Sequence, residues 1–185
     1  MRKSRRHILQ MLPKGAVGAE IGVWKGDFSA EILQVAQPRQ LCLIDPWRLR
    51  DDPIHNRSWY GAKRKPDMDK IYQGVLQRFE KEIERGSVSI KKAPSHEALA
   101  EFPNGHFDFI YIDGDHEYGA VRQDFFLAFD KVRPGGLICG DDYSIGSWWK
   151  DGVVRAFHEL LAHRPLLIRY VQGGQVAVEK LPNHA

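Results

Sequence analysis

At 185 residues, 43% hydrophobic and 28% charged, the chain suits one globular domain spanning 1–185, able to bury a core without disulfides or structural metals. Its 27 basic and 24 acidic residues leave a net charge of +3, too weak a balance to announce a nucleic-acid partner. No apolar run approaches the length of a membrane span, which argues against a membrane role. ILQML is too short for the apolar region of a signal peptide and Lys14 interrupts soon after it. Cys42 and Cys139 sit inside the apolar runs LCLI and LICG and read as buried, reduced thiols, so the expected location is cytoplasmic.

Short β-branched runs alternate with segments of helical period, the pattern of βα units and a parallel sheet. Residues 4–12 predict a short helix with Ile8, Leu9 and Leu12 on one face, and residues 1–14 as a whole read as a basic arm carrying Arg2, Lys3, Arg5 and Arg6. Val17–Gly22 predicts the first strand. A glycine-bearing turn follows, and then a helix from Asp27 to about Val35 with Phe28, Ile32 and Val35 inward. Gln40–Asp45 is the second strand. Residues 46–66 have no clean period and predict a long loop, a candidate lid, with six basic residues (Arg48, Arg50, Arg57, Lys63, Arg64, Lys65) against Asp51 and Asp52.

Helical spacing resumes from Met68 to about Ile83, Gly86 ends it, and Ser87–Lys91 alternates as a third strand. Pro94–Leu99 predicts a short helical turn. Phe107–Asp113 (FDFIYID) is the clearest buried strand, followed by a helix from Tyr118 to Lys131 stopped by Pro134-Gly135-Gly136. Leu137–Asp141 is the fifth strand and 149–162 a helix. Leu166–Val171 and Gln175–Lys180, separated by Gln172-Gly173-Gly174, predict an antiparallel hairpin. The fold class is therefore α/β: a Rossmann-like, seven-stranded, mostly parallel sheet with helices on both faces and a C-terminal antiparallel hairpin.

In such a sheet ligands bind outside the carboxyl ends of the strands. Glu20 and Gly22 end the first strand, Asp45 the second, Asp113 the fourth, and Asp141 with Asp142 the fifth, so four of the five strands deliver a carboxylate to one rim. An acidic N-cap for the next helix is the plainer explanation of any single case. In AEIGVWKGDFS, Gly22 and Gly26 permit a tight turn and close approach of a ligand to the backbone. Asp45, about twenty residues on, is placed to accept both hydroxyls of a ribose. Together the two features point to an adenosine-containing cofactor, either a nicotinamide dinucleotide or S-adenosylmethionine (SAM).

The run VGAEIGVWKGDFS, the acidic end of LCLIDPW and the block FDFIYIDGDHEYGAVRQDFFLAFDKVRPGGLICGDDY resemble the class I SAM-dependent methyltransferases over about residues 15–180. More narrowly, the block resembles the metal-dependent small-molecule O-methyltransferases of the macrocin O-methyltransferase and cephalosporin-hydroxylase-associated type. The resemblance implies that Glu20, Gly22 and the backbone around Trp24 hold the methionine part of SAM, with Ser29 nearby. It places Asp45 on the ribose, Pro46 and Trp47 beside the adenine, and Ser95 toward it. It makes Asp113, Asp141 and Asp142 ligands of Mg²⁺ or another divalent cation, with Asp113 also bordering the cofactor, and His116 the general base. Clustered carboxylates repel one another, and a hard cation with oxygen ligands neutralises them. Such a cation lowers the pKa of a bound hydroxyl, and a histidine near its ordinary pKa of about 6.5 takes the proton.

The acceptor implied is a small molecule, and the basic 46–66 loop suggests an anionic one. Some relatives carry Glu-Asp in place of Asp141-Asp142, which leaves the choice of metal open. Catechol-type relatives carry lysine in place of His116, so a catechol preference is not implied. Antibiotic-pathway relatives have long N-terminal extensions; here the cover is expected from the N-terminal helix, the 46–66 loop or a partner subunit, and a homodimer is plausible. Asp115 and Glu117 read as exposed and idle, Trp148 and Trp149 as edge packing or acceptor lining, and His55, His106, His163 and His184 as surface residues.

Three alternatives stand beside this reading. An NAD-dependent oxidoreductase lacks its third glycine here. A methyltransferase acting on nucleic acid or protein lacks the Asn/Asp-Pro-Pro-aromatic signature that orients an amino acceptor. A non-catalytic SAM-binding module shares the same rim residues.

Overall fold

The computed structural model describes residues 3–64, 66–146 and 148–182. Arg2, Lys65 and His184, singled out above, lie outside them.

Seven strands form one sheet in the order β3-β2-β1-β4-β5-β7-β6. β1 (Val17–Ile21), β2 (Gln40–Ile44), β3 (Val88–Lys91), β4 (Phe107–Ile112) and β5 (Val132–Gly140) are mutually parallel, while β7 (Gln175–Lys180) runs antiparallel to β5 and to the edge strand β6 (Leu166–Gln172). The expected Rossmann-like sheet and C-terminal hairpin are both present. The strand order reverses between β1 and β4, and the crevice of a doubly wound sheet opens at that point.

The central strands are buried on both faces, as parallel strands flanked by helices must be. Along β4, Ile110 and Ile112 face a core closed by α5 (Ser95–Ala100), α6 (Tyr118–Lys131) and α7 (Gly152–His163). Phe109 and Tyr111 face the opposite core, closed by α1 (Lys3–Met11), α2 (Asp27–Val35) and α3 (Met68–Arg78). This is the period-two alternation of a strand. Among the described residues no helix is long and apolar enough to cross a membrane.

Three local expectations shift. The helix predicted from Met68 to Ile83 is broken at Phe79 (φ −109°), giving α3 and a short α4 (Glu80–Glu84). The break seats the Phe79 ring against Gly26, where a Cβ would meet it at 2.6 Å. Pro134-Gly135-Gly136 does not precede β5 but lies inside it as an irregularity, since Phe107 pairs with Val132 and Phe109 with Leu137. The loop 46–66 carries two short 3₁₀ turns, His55–Arg57 and Ala62–Arg64, and an isolated bridge from Arg50 to Gly61.

Candidate active site

Backbone hydrogen bonds draw the strand ends together: Gly22 N donates to Ile44 O (2.9 Å), Asp113 N to Ile21 O (2.8 Å) and Asp141 N to Ile112 O (2.9 Å). Gly22 has φ +88°, and a Cβ there would lie 2.0 Å from the Asp113 carbonyl oxygen, so only glycine lets the two turns meet. Trp24 (φ 52°), Trp47 (φ 39°) and Asp142 (φ 54°) also adopt the left-handed region. Non-glycine residues pay for that conformation with strain, and of the five such residues among those described, these three lie at this rim while Gln37 and Lys150 line neither chamber.

Two chambers open there, of about 460 and 290 Å³. Gly22, Ser58, Tyr60, Gly114 and Trp148 line both, so the two adjoin along the 46–66 loop and the β1 and β4 turns. The larger holds Glu20, Trp24, Asp113, His116 and Trp149. The smaller holds Asp45, Pro46, Ser95 and Asp124.

Asp45 is buried and engaged. Its Oδ2 accepts from Val23 N (2.9 Å), Trp24 N (3.0 Å) and the Tyr60 hydroxyl, and its Oδ1 from Trp47 N (2.7 Å). Burial pushes its pKa up, against the pull of these donors. It both fixes the first glycine turn and faces the smaller chamber. Glu20 is buried behind the rim with the Ser29 hydroxyl donating to it, and burial raises it to about 8. Ser29 thus supports Glu20 and does not itself line a chamber. The Trp47 ring is buried beside Tyr72 (5.0 Å between centroids), with its Nε1 donating to Trp24 O, and likewise lines neither chamber. Ser95 donates to Asp124, a buried carboxylate that desolvation raises to about 7.

The acidic rim divides in a way the sequence did not predict. Asp113, His116 and Asp142 each present one potential ligand atom, all within 4.8 Å of one another. His116 Nε2 lies 3.5 Å from Asp113 Oδ1 and 3.6 Å from Asp142 Oδ2. Burial works against the imidazolium, but Asp113, Asp142 and Asp115 outweigh it and hold His116 above its ordinary pKa. Asp141 is not part of that group: it pairs with the Arg5 guanidinium, which Asp113 shares, and accepts from Gln175 Nε2. The left-handed Asp142 lets two consecutive carboxylates serve different partners.

Five residues given no role above, or a surface one, shape the site. Arg5, on α1, reaches Asp113 (2.6 Å) and stacks 4.8 Å from the Phe28 centroid. His55 is a buried latch, not a surface residue: Nδ1 lies 2.7 Å from Asp52 and Nε2 3.0 Å from Asp115. Asp115 is correspondingly not idle. It also takes Arg50 at 3.2 Å and accepts from Glu117 N, tying the 46–66 loop to the β4 turn. Tyr60 and Asp124 carried no local signal, because each is aimed into place by long-range packing. Trp148 and Trp149 both line the larger chamber.

A family model described as a methyltransferase domain matches residues 19–143. A 64-residue stretch is 41% identical to an uncharacterized protein of Acanthamoeba polyphaga mimivirus, covering 35% of this chain and 28% of that protein, so the chain spans under a third of that relative. Cofactor-bound Rv0187 from MTB superposes with a TM-score of 0.71 at 16% identity, covering 99% of this chain and 82% of that one. An O-methyltransferase from Bacillus cereus in complex with S-adenosylhomocysteine (SAH) gives 0.67 at 18%, covering 97% and 82%. The O-methyltransferase TomG from Streptomyces achromogenes, in complex with SAM, gives 0.68 at 14%, covering 96% and 78%. At such identities the likeness is one of fold.

Proposed function

The chain belongs to the methyltransferase-domain family, and on that footing we propose that it is a SAM-dependent O-methyltransferase acting on a small hydroxylated acceptor with a divalent cation assisting. The observation that carries this is the pair of adjoining chambers over the β1–β4 divide, one carrying Asp45 and Ser95, the other Glu20, Asp113 and His116. An adenosine fits the first set and an amino-acid tail with a reacting hydroxyl the second. Fold neighbours that hold SAM or SAH support the same donor.

In this reading Asp45 takes the ribose hydroxyls as Tyr60 gives way, Pro46 and the Ser95–Asp124 pair border the adenine, and Glu20 and Asp113 receive the methionine ammonium. SAM when bound supplies an electrophilic methyl group on sulfonium sulfur, leaving SAH and a methyl ether. His116 takes the proton from the acceptor hydroxyl. Trp148 and Trp149 wall the acceptor space and exclude water. Arg57 and Lys25, also on that chamber, suit an acceptor with an anionic group.

The donor set fits a divalent cation in one combination. His116 Nε2 is buried with no hydrogen-bond partner among the described residues and faces two carboxylates. Asp113 and Asp142 would hold the cation beside it, while Asp141, which accepts from Gln175 and shares Arg5 with Asp113, lies outside that cluster. The cation would act as a Lewis acid that lowers the acceptor hydroxyl's pKa. The narrower likeness to the macrocin O-methyltransferase type belongs to this proposal.

The test is transfer of a radiolabelled methyl from SAM to a panel of hydroxylated compounds, with Mg²⁺ or Mn²⁺ and with chelator. We expect metal-stimulated transfer to oxygen, reduced about 10²–10⁴-fold in His116→Ala. Transfer only to nitrogen, or transfer indifferent to chelator and to His116→Ala, would contradict the proposal.

A further inference from the structure

We propose that Arg5 receives the carboxylate of the cofactor's methionine moiety, making the N-terminal helix a part of the cofactor site that selects for an intact amino-acid tail. This rests on the SAM reading above and names a residue that the family resemblance does not supply.

The case begins with position. Arg5 lines the larger chamber together with Glu20, Gly22 and Trp24, the residues that surround a methionine tail in that reading. It arrives there from α1, 108 residues away in sequence from its partner Asp113. α1 packs against α2 and β7, so the guanidinium is carried on a docked element.

Arg5 is also held. Its Nη2 pairs with both Asp113 and Asp141, and its guanidinium stacks on the Phe28 ring. The side chain keeps 23% of its surface exposed, so it is anchored at depth and still reaches the chamber. Lys25 and Arg57, the other lysine and arginine on that chamber among the described residues, are exposed. Arg5 is the pre-placed one.

The chemistry then follows from the charges. The tail of SAM or SAH is a zwitterion, an ammonium and a carboxylate on one carbon. Glu20 and Asp113 offer acceptors for the ammonium, and the chamber needs a donor for the carboxylate. A guanidinium has five N–H groups in a planar fork, and both ion pairs of Arg5 run through Nη2 alone. Its geometry matches a carboxylate, and the stack on Phe28 fixes its plane. Arg5 would thus be a specificity-determining residue that acts on the cofactor and not on the transferred methyl.

The experiment compares calorimetric affinities of SAH and of its decarboxylated analogue, which keeps the ammonium and loses the carboxylate, on wild type, Arg5→Met and Arg5→Lys. Wild type should prefer SAH by about ten- to a hundredfold, the range for a hydrogen bond to a charged group. Arg5→Met should lose that preference, so that SAH and the analogue bind it with similar affinity, and Arg5→Lys should keep part of it. A merely structural role for Arg5 would weaken both ligands equally and preserve their ratio, which overturns the proposal. If Arg5→Met does not fold, the wild-type ratio and Arg5→Lys decide: no preference in wild type, or an unchanged one in Arg5→Lys, also overturns it. Failure of wild type to bind either ligand would instead sink the cofactor reading, and this proposal with it.

Discussion

The Tyr60 hydroxyl donates to the Asp45 carboxylate, 15 residues back along the chain, and so lays the 46–66 loop across the line where the two chambers meet. The bond occupies an acceptor that a ribose hydroxyl would need. Tyr60→Phe should therefore bind SAH more tightly, by about fivefold or more, while losing about 1–3 kcal/mol of stability for the donor removed from a buried carboxylate. Calorimetry and urea unfolding on the same preparation check both. Weaker SAH binding with unchanged stability would show that Tyr60 supports the cofactor.

Consecutive carboxylates should behave differently. Asp141 is buried and paired with Arg5 and Gln175, so Asp141→Ala should cost about 3 kcal/mol, the low end for breaking a buried ion pair because Arg5 keeps Asp113. Asp142 stands with Asp113 and His116, so Asp142→Asn should weaken Mn²⁺ binding by about tenfold or more, whereas Asp141→Ala should leave it near wild type. Thermal melts and Mn²⁺ titration of both variants separate the two roles, and reversed effects would put Asp141 back among the ligands.

The buried Glu20 ties stability and cofactor binding to pH. Its pKa is raised from 4.5 to about 8 in the fold, so between those values the native state holds a proton that the unfolded chain releases. Stability should therefore fall as pH rises through that window, and Asp124, raised to about 7, adds to the same trend. Glu20→Gln should flatten the slope in urea unfolding from pH 5 to 8. An ammonium arriving beside Glu20 should expel the proton. SAH binding at pH 7 should then release about one proton, read from calorimetry in buffers of different ionisation enthalpy, and Glu20→Gln should release none.

The contacts of His55 with Asp52 and Asp115 should govern how often the 46–66 loop opens. His55→Ala removes both contacts, and also the ring partner of Trp148 at 4.9 Å. Limited proteolysis within residues 48–60 should accelerate by about tenfold while cleavage elsewhere is unchanged. Acceleration spread over the whole chain would mean that His55 supports the fold and not the loop.

How much of this was legible in the sequence follows from the range of each interaction. The strands and the acidic rim were legible because alternation and strand-ending carboxylates are local signals, and Gly22 with Asp45 located the β1–β2 edge. Phe79, which splits one predicted helix in two, was not, because its ring answers to Gly26 across the chain. Asp141 and Asp142 look equivalent in sequence; only a left-handed backbone and the distant Arg5 and Gln175 tell them apart. His55 and Asp115 read as surface residues because neither has an apolar period, yet together they close a latch across 60 residues.

The most direct measurement of the central claim is calorimetric titration of SAH into the wild-type protein and Asp45→Asn, with NAD titrated in parallel. The account predicts micromolar binding of SAH, about −8 kcal/mol. It predicts a loss of about 1.5–3 kcal/mol in Asp45→Asn, where the charged ribose acceptor is gone, and no heat from NAD. A folded wild-type protein that binds NAD, or that binds no SAH, would contradict it.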